Sequence, residues 1–453
     1  MDALHATYST AAMRRLWSDD AMLAAMLRFE AELAAAQAEC GMIPAADAAV
    51  IGAVCAQLRP DALAIGSEAQ RGGTLAIPLV KQLKAAVAQR EPQAAARVHL
   101  GATSQDIADT ALVTVAMASL DLLLADLRRL GDALARLVRE HDATPLLART
   151  LLQPAAPISF GWKAAGWLDA VARCTQALQR QRHEAAVLQL GGANGALLVH
   201  GKQGAVVAQA LARRLQLHVP DITWHGARDR LARLAAELAI TCGILGKFGR
   251  DISLLMQPEV GEAFEPAGKG RGGSSAMPHK RNPVAAMHML DAAYRAPALA
   301  QTLAGELAAE HERGLGSWPN ALPVFDTLFG LCANSLAAAV ETAEGLRIDA
   351  AAMQRHIDSL YGVVFSESLN RTLADVLGPG PAADLLAEAS SQALEQATPI
   401  LDILAAHPAV AGQVSRAALE HACAMDTLLD GARPMCQRVV QHWHTLRDTL
   451  PAS

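Results

Sequence analysis

The sequence predicts an all-α protein whose centre is a bundle of long helices. Hydrophobic residues make up 52% of the 453 residues but aromatic residues only 4%, so the apolar content is mainly Ala and Leu. Both residues favour helix. Helical patterns also run over four long segments, at residues 107–140, 157–188, 227–255 and 283–312. The first of these would span roughly 50 Å at about 1.5 Å per residue.

The first helix is expected to begin near Ser18, with acidic residues in its first turn and Gly41 as its stop. Its apolar residues recur at helical spacing on one face. In the longer helices, apolar residues cover more than one face. Such helices need further burial, so we expect assembly with other subunits.

Composition excludes several classes of function. The net charge of −6 gives no electrostatic case for nucleic-acid binding. Seven cysteines without CxxC spacing favour free thiols in the reducing cytoplasm over disulfides or a zinc site. The N-terminus has no signal-peptide pattern, and charges interrupt the apolar stretches, so we predict no membrane span. A metal-dependent enzyme is not expected, since no HExxH-type ligand spacing occurs. We expect no other cofactor either.

Two polar segments precede long helices. The first segment, HLGATSQD, runs from His99 to Asp106, and Ser104 or Asp106 is the expected helix cap. Hydroxyls and free N–H groups at a helix N-terminus can also bind a carboxylate, and the two interpretations are compatible. The second segment, ARTLLQPAAPISFG at 148–161, carries donors before a helix, but taken alone it is better explained as a polar connector.

The third segment is the Gly-rich loop GKGRGGSSAMPHKRNP at 268–283. It contains GxGxxG, but a helical pattern rather than a strand precedes it, so a dinucleotide site is not expected. The Walker pattern fails because Gly270 follows Lys269. We expect the glycines to let the loop close over a substrate and to carry Ser274 with it.

The stretch GSSAMPHKRNP at 273–283 resembles the signature loop of the fumarase/aspartase superfamily, and the other two segments resemble its other active-site regions in the same order. This resemblance implies three helical domains, which we place at 1–105, 106–350 and 351–453. It also implies a homotetramer on a central helix bundle, with each active site built by three subunits.

Within the superfamily, residues 224–266 and 310–318 resemble the bacterial cycloisomerases that lactonise 3-carboxy-cis,cis-muconate. The implied product is 4-carboxymuconolactone, in the protocatechuate branch of aromatic degradation. Adenylosuccinate lyase is the alternative, because HLGATSQD and SSAMPHKRNP resemble its motifs as well. A non-catalytic structural protein on the same scaffold is a further alternative.

The resemblance assigns roles to individual residues. It implies Ser274, Lys280 and Asn282 as the catalytic set, with Ser274 moving a proton and the other two stabilising an aci-carboxylate. The predicted ligands of a small tricarboxylate substrate are Thr103, Ser104, His99, Arg149, Thr150, Gln153, Ser275, Met277 and Arg313. Arg149 and Arg313 are the cations expected for the additional carboxylates.

The second segment departs from the superfamily at one position. Many members carry Gly-Arg-Thr-His, whereas this chain has Ala148, Arg149, Thr150 and Leu151. An amine leaving group benefits from a general acid, but a carboxylate, with a pKa of about 4, leaves or attacks as the anion. His99 or His279 could replace the missing histidine. We therefore predict lactonisation with little dependence on groups that titrate between roughly pH 6 and 8.

Overall fold

The computed structural model describes residues 3, 5–268, 272–273, 277, 279–316 and 318–450. Its helices, in chain order, are α1 Ala11–Leu16, α2 Asp19–Glu39, α3 Ala45–Gln57, α4 Ala62–Gly72, α5 Ala76–Ala88, α6 Pro92–Ala95, α7 Ser104–Glu140, α8 Phe160–Glu184, α9 Gly204–Leu215, α10 Asp229–Leu255, α11 Val284–Gly305, α12 Ala321–Gly345, α13 Ala350–Asp358, α14 Ser366–Leu377, α15 Pro379–Gln396, α16 Ile400–Ala406, α17 Arg416–Ala422, α18 Met425–Leu429 and α19 Arg433–Arg447. The all-α prediction is confirmed.

Within the described ranges, the strands are short and form two antiparallel pairs. They are β1 Pro145–Thr150 with β2 Gln153–Ser159, and β3 Ala263–Phe264 with β4 Arg347–Ile348. The predicted helix at 157–188 was therefore wrong at its start, since Pro157 pairs with Leu147 in the hairpin. Ser159 then caps α8 by accepting a hydrogen bond of 3.0 Å from the Trp162 amide.

The long helices α7, α8, α10, α11 and α12 pack on one another and form the central bundle. Small residues allow α10 and α11 to lie close together. A Cβ at Gly246 would stand 2.4 Å from the Cβ of Ala293, and one at Gly249 would stand 2.9 Å from that of Met289.

Two of the predicted helix bounds differ from the structure. The helix expected at 107–140 begins at Ser104, and the one expected at 283–312 ends at Gly305.

The described residues form two hydrophobic cores. The larger includes the bundle, the N-terminal helices and α19, whose Trp443 is fully buried. The smaller lies between Leu369 and Ala422 in the C-terminal helices. The predicted domain boundaries at 105 and 350 stay predictions. The helix start expected near Ser18 is confirmed for α2, which Ser18 caps by accepting from the Ala21 amide at 3.2 Å, although the short helix α1 precedes it.

The expectation that no helix could span a membrane was too strong. By length and composition alone, the helical stretches Ser104–Glu140 and Trp318–Gly345 could cross one, as could the bent pair formed by α3 and α4. In the two single stretches, however, 78% and 72% of the most apolar window is buried inside the protein. Packing within the bundle accounts for these apolar faces.

Candidate active site

The first segment lies where α7 begins. The residue that caps α7 is Thr103, and Ser104 is the first helical residue, so the prediction of Ser104 as the cap was wrong by one position. Asp106, the other predicted cap, takes part in the capping box, since its carboxylate accepts a hydrogen bond from the Thr103 amide. Asp106 lies inside the first turn and is fully buried. Its two oxygens accept hydrogen bonds of 2.9 Å from the amides of Thr103, Gly191 and Gly192. Asp106 therefore anchors this turn to a neighbouring loop.

A buried ion-pair network contacts α7 close to its first turn. Arg228 donates to both oxygens of Asp109, at 3.0 and 3.1 Å, and to Glu306 at 3.1 Å. Burial raises the pKa of Glu306, although Arg228 opposes the shift. The network links α7, the start of α10 and the end of α11. Sequence analysis missed it, and charged residues on otherwise apolar helical faces were the available signal.

His99 and Thr103 each have a charged partner. The Nδ1 of His99 lies 2.5 Å from an oxygen of Glu30, which is buried. Burial disfavours the charged imidazole and so lowers the pKa of His99. The charge and hydrogen bond of Glu30, together with the charge of Asp106, outweigh burial, and the pKa of His99 is raised. Arg313 donates a hydrogen bond of 2.7 Å to the Thr103 hydroxyl. The structure thus brings together three of the predicted substrate ligands, His99, Thr103 and Arg313, at the start of α7.

His99 and Thr103 border a cavity of about 440 Å³, which we call the His99 cavity. Sequence analysis did not predict the lysines in its wall. The lining residues are Ala76, Ile77, Val80, Lys81, Lys84, His99, Ala102, Thr103 and Ser104.

The second segment forms the β1–β2 hairpin. Its two-residue tip, Leu151 and Leu152, has φ angles of +50° and +65° and is 96% and 78% exposed. A tight hairpin turn needs left-handed residues, and leucine adopts them at a cost. Thr150 and Gln153 flank the tip and are also exposed. The hairpin therefore presents apolar side chains to the outside of the subunit.

Arg149 is held at the base of this tip by a buried carboxylate. Its guanidinium donates to both oxygens of Glu262, each at 2.8 Å. Glu262 is fully buried and also lies 2.6 Å from Nδ1 of His356 on α13. Sequence analysis missed both contacts of Glu262. Along the chain, Glu262 is 113 positions from Arg149 and 94 positions from His356.

In the third segment, backbone contacts join the described residues near its two ends. The Asn282 amide donates to the Gly272 carbonyl at 2.8 Å, and Gly273 pairs with Arg281 as an antiparallel bridge. Gly272 has a φ of +59°, and a Cβ there would lie 2.4 Å from the Asn282 carbonyl, so glycine is required. The predicted residues Ser274 and Ser275 lie outside the described residues.

Lys280 and Asn282 line a cleft of about 700 Å³, which we call the Lys280 cleft. Met277, another predicted ligand, accepts a hydrogen bond of 3.0 Å from the Lys280 amide through its carbonyl. Glu265 also lines the cleft and accepts from the amides of Ala285 and Ala286 at the start of α11, at 3.1 and 2.8 Å. The Lys280 cleft and the His99 cavity share no lining residue within the part of the chain that the structure describes.

Comparisons with known proteins agree with one another. A family model described as Lyase matches residues 5–297. A 3-carboxy-cis,cis-muconate cycloisomerase of Bradyrhizobium diazoefficiens is 45% identical over 90% of this chain and 90% of its own. One from Pseudomonas aeruginosa is 42% identical over 97% and 96%. The solved 3-carboxy-cis,cis-muconate lactonizing enzyme of Pseudomonas putida superposes with a TM-score of 0.92 at 40% identity, covering 98% of this chain and 99% of that one.

Proposed function

Because this chain belongs to the lyase family of the fumarase/aspartase superfamily, we propose that it is a cycloisomerase that lactonises 3-carboxy-cis,cis-muconate to 4-carboxymuconolactone. The observation that carries the proposal is the identity of 45% and 42% to two cycloisomerases over nearly the whole chain. The reaction fits a place in the degradation of aromatic compounds. Seven free cysteines agree with a cytoplasmic location, which we also propose.

The chemistry requires an addition and a proton transfer. One substrate carboxylate attacks a carbon of the diene and forms the new C–O bond, and the electron pair moves to the carbon beside another carboxylate. The resulting aci-carboxylate carries concentrated negative charge, which fixed donors and a cation stabilise. In the proposal, Lys280 and Asn282 supply these groups and Ser274 delivers the proton that completes the lactone. The attacking carboxylate is already ionised and needs no base.

We assign the remaining predicted residues to substrate binding. Thr103, Ser104 and His99 line one cavity, and Arg313 adds its charge at the Thr103 hydroxyl. Ser275 and Met277 would act from the loop. Thr150 and Gln153 flank the exposed hairpin tip. Arg149 stays a predicted ligand, although its guanidinium already donates to Glu262.

We further propose a homotetramer whose active sites combine segments from different subunits. The separate linings of the His99 cavity and the Lys280 cleft support this arrangement, since one chain divides the predicted residues between them. Exposed apolar side chains on the bundle also support it, because packing against another subunit would bury them. They include Ile240 and Leu254 on α10 and Met287 and Tyr294 on α11.

A spectrophotometric assay tests the activity. The purified protein is expected to consume 3-carboxy-cis,cis-muconate and to release the lactone, with adenylosuccinate as the competing substrate in a parallel assay. Efficient cleavage of adenylosuccinate without muconate turnover would favour the alternative lyase. Failure to turn over either compound, with intact helical structure, would favour the structural protein.

A further inference from the structure

Lys84, on α5, lies in the wall of the His99 cavity and has no role in the proposal above. Among the described residues, the lining contains Lys81, Lys84, His99 and two hydroxyls but no acidic residue. Arg313 reaches the same place through Thr103. The cavity therefore combines several cations with hydroxyl donors, which suits a carboxylate ligand.

The two lysines differ in their surroundings. The ammonium of Lys81 lies 3.7 Å from Glu68 on the exposed surface. Lys84 faces no carboxylate at ion-pair distance within the part of the chain that the structure describes, and its charge acts on His99 instead. An uncompensated ammonium at a cavity wall is available for an incoming anion. Lys84 is therefore the better candidate for direct contact with a ligand.

Glu30 lies behind His99 rather than in the cavity. It is only 1% exposed, and its Oε1 is 2.5 Å from the imidazole Nδ1. The other oxygen of Glu30 has no hydrogen-bond partner among the described residues. The imidazole of His99 is therefore the main group that stabilises the buried carboxylate. A buried carboxylate favours a proton on the facing nitrogen and leaves Nε2 of the ring for another contact. His99 also has a φ of +60°, a backbone geometry that neighbours must stabilise.

We propose that, in the His99 cavity already assigned to substrate binding, Lys84 contacts one carboxylate of the substrate directly and Glu30 is a positioning residue that acts through His99. This inference rests on the proposed function for the identity of the ligand, a tricarboxylate. A carboxylate that does not react is bound equally in the ground state and the transition state. Its loss therefore raises KM and leaves kcat nearly unchanged.

Steady-state kinetics with 3-carboxy-cis,cis-muconate test the role of Lys84. The Lys84→Met variant is expected to show a KM about tenfold higher or more, with kcat within about twofold of wild type. Lys84→Arg should recover part of the loss. Lys202→Met, which removes an exposed lysine elsewhere, is the matched control and should leave both constants unchanged. A KM of Lys84→Met within twofold of wild type would overturn the proposed contact between Lys84 and the substrate carboxylate.

The pH dependence of KM tests Glu30. The charged groups facing His99 are Glu30, Asp106 and Lys84, and Lys81 lies in the same cavity. Because the pKa of His99 is raised, the imidazolium persists to higher pH, and KM should rise only as pH passes that pKa. In Glu30→Gln the rise should begin at lower pH. An onset at the same pH as in wild type would overturn the positioning role.

Calorimetry with tricarballylate, a tricarboxylate that cannot lactonise, separates this proposal from the proposed function. If wild type binds tricarballylate but does not convert the muconate, the activity is wrong, and a tenfold weaker affinity in Lys84→Met would still support the Lys84 contact. If wild type converts the muconate while Lys84→Met binds tricarballylate normally, the Lys84 contact alone is wrong. Absence of both turnover and binding in wild type overturns the Lys84 contact as well.

Discussion

Arg313 and Thr103 are 210 positions apart, yet the arginine donates a hydrogen bond of 2.7 Å to the threonine hydroxyl. The contact connects the turn after α11 to the cap of α7. It places a guanidinium beside the hydroxyl that is predicted to bind the substrate, so the two side chains are expected to act on the same carboxylate.

The first prediction follows from this contact. Arg313→Met should raise KM for 3-carboxy-cis,cis-muconate about tenfold, because a charge-assisted hydrogen bond to the substrate would be lost. Arg313 is exposed, so the thermal midpoint should stay close to wild type. Arg295→Met, on the exposed face of α11, is the control. An unchanged KM would remove Arg313 from the set of substrate ligands.

Helical periodicity was sufficient to predict the bundle, because each long helix has its own repeating apolar pattern. Local signals also located the start of α2 at Ser18. The β1–β2 hairpin was missed because no Gly or Asn marks its turn, which Leu151 and Leu152 make instead. Tertiary packing overrides local preference there.

The partners of the predicted site residues could not be found from local sequence. Glu30 reaches His99, and Glu262 reaches both Arg149 and His356, across many intervening residues. Such pairs form only when helices that are distant in the sequence pack together, and a single sequence does not show which helices do so. The catalytic roles of Lys280 and Asn282 remain predictions, which their position in a cleft supports.

The second prediction concerns the loop. Ser274→Ala and Lys280→Ala should each lower kcat by orders of magnitude while the thermal midpoint stays close to wild type. Lys280 is exposed, so its truncation leaves no core cavity. Lys202→Ala, at another exposed position, is the control. Near-normal turnover by Ser274→Ala would remove Ser274 from the mechanism.

The third prediction tests shared active sites. Ser274→Ala and Thr103→Ala chains are each expected to be inactive, but mixed tetramers should regain some activity, since some sites would receive neither lesion. The mixture is refolded together, and the mixed species are verified by mass spectrometry before assay. No recovery would indicate sites built within one chain. A monomer at micromolar concentration in sedimentation would refute the assembly itself.

The fourth prediction concerns the buried network. Arg228→Met should reduce the free energy of unfolding by about 3–5 kcal/mol, because Asp109 and Glu306 would stay buried without their cation. Arg129→Met is the matched control. Arg129 pairs with Glu344 but is 54% exposed, so its loss should cost less than about 1 kcal/mol.

Urea denaturation at fixed protein concentration measures both changes. In Arg228→Met the pKa values of the uncompensated folded-state carboxylates should lie above their unfolded values. The variant's deficit should therefore shrink as pH falls and these groups become neutral. Equal losses in the two variants would contradict the structural role of the network.

The last prediction concerns Leu151, which occupies the place of the superfamily's histidine. If the reacting group is a carboxylate, the chemical step needs no general acid at this position, and kcat should be nearly constant between roughly pH 6 and 8. KM can still vary through His99, since binding and chemistry are separate. Leu151→His should leave kcat within about threefold, and stability should change little because Leu151 is 96% exposed. Leu152→His is the control at the neighbouring tip position. A kcat that follows a single ionisation near pH 7 in wild type would indicate a general acid or base in the chemical step. Efficient adenylosuccinate cleavage without muconate turnover would overturn the carboxylate argument altogether.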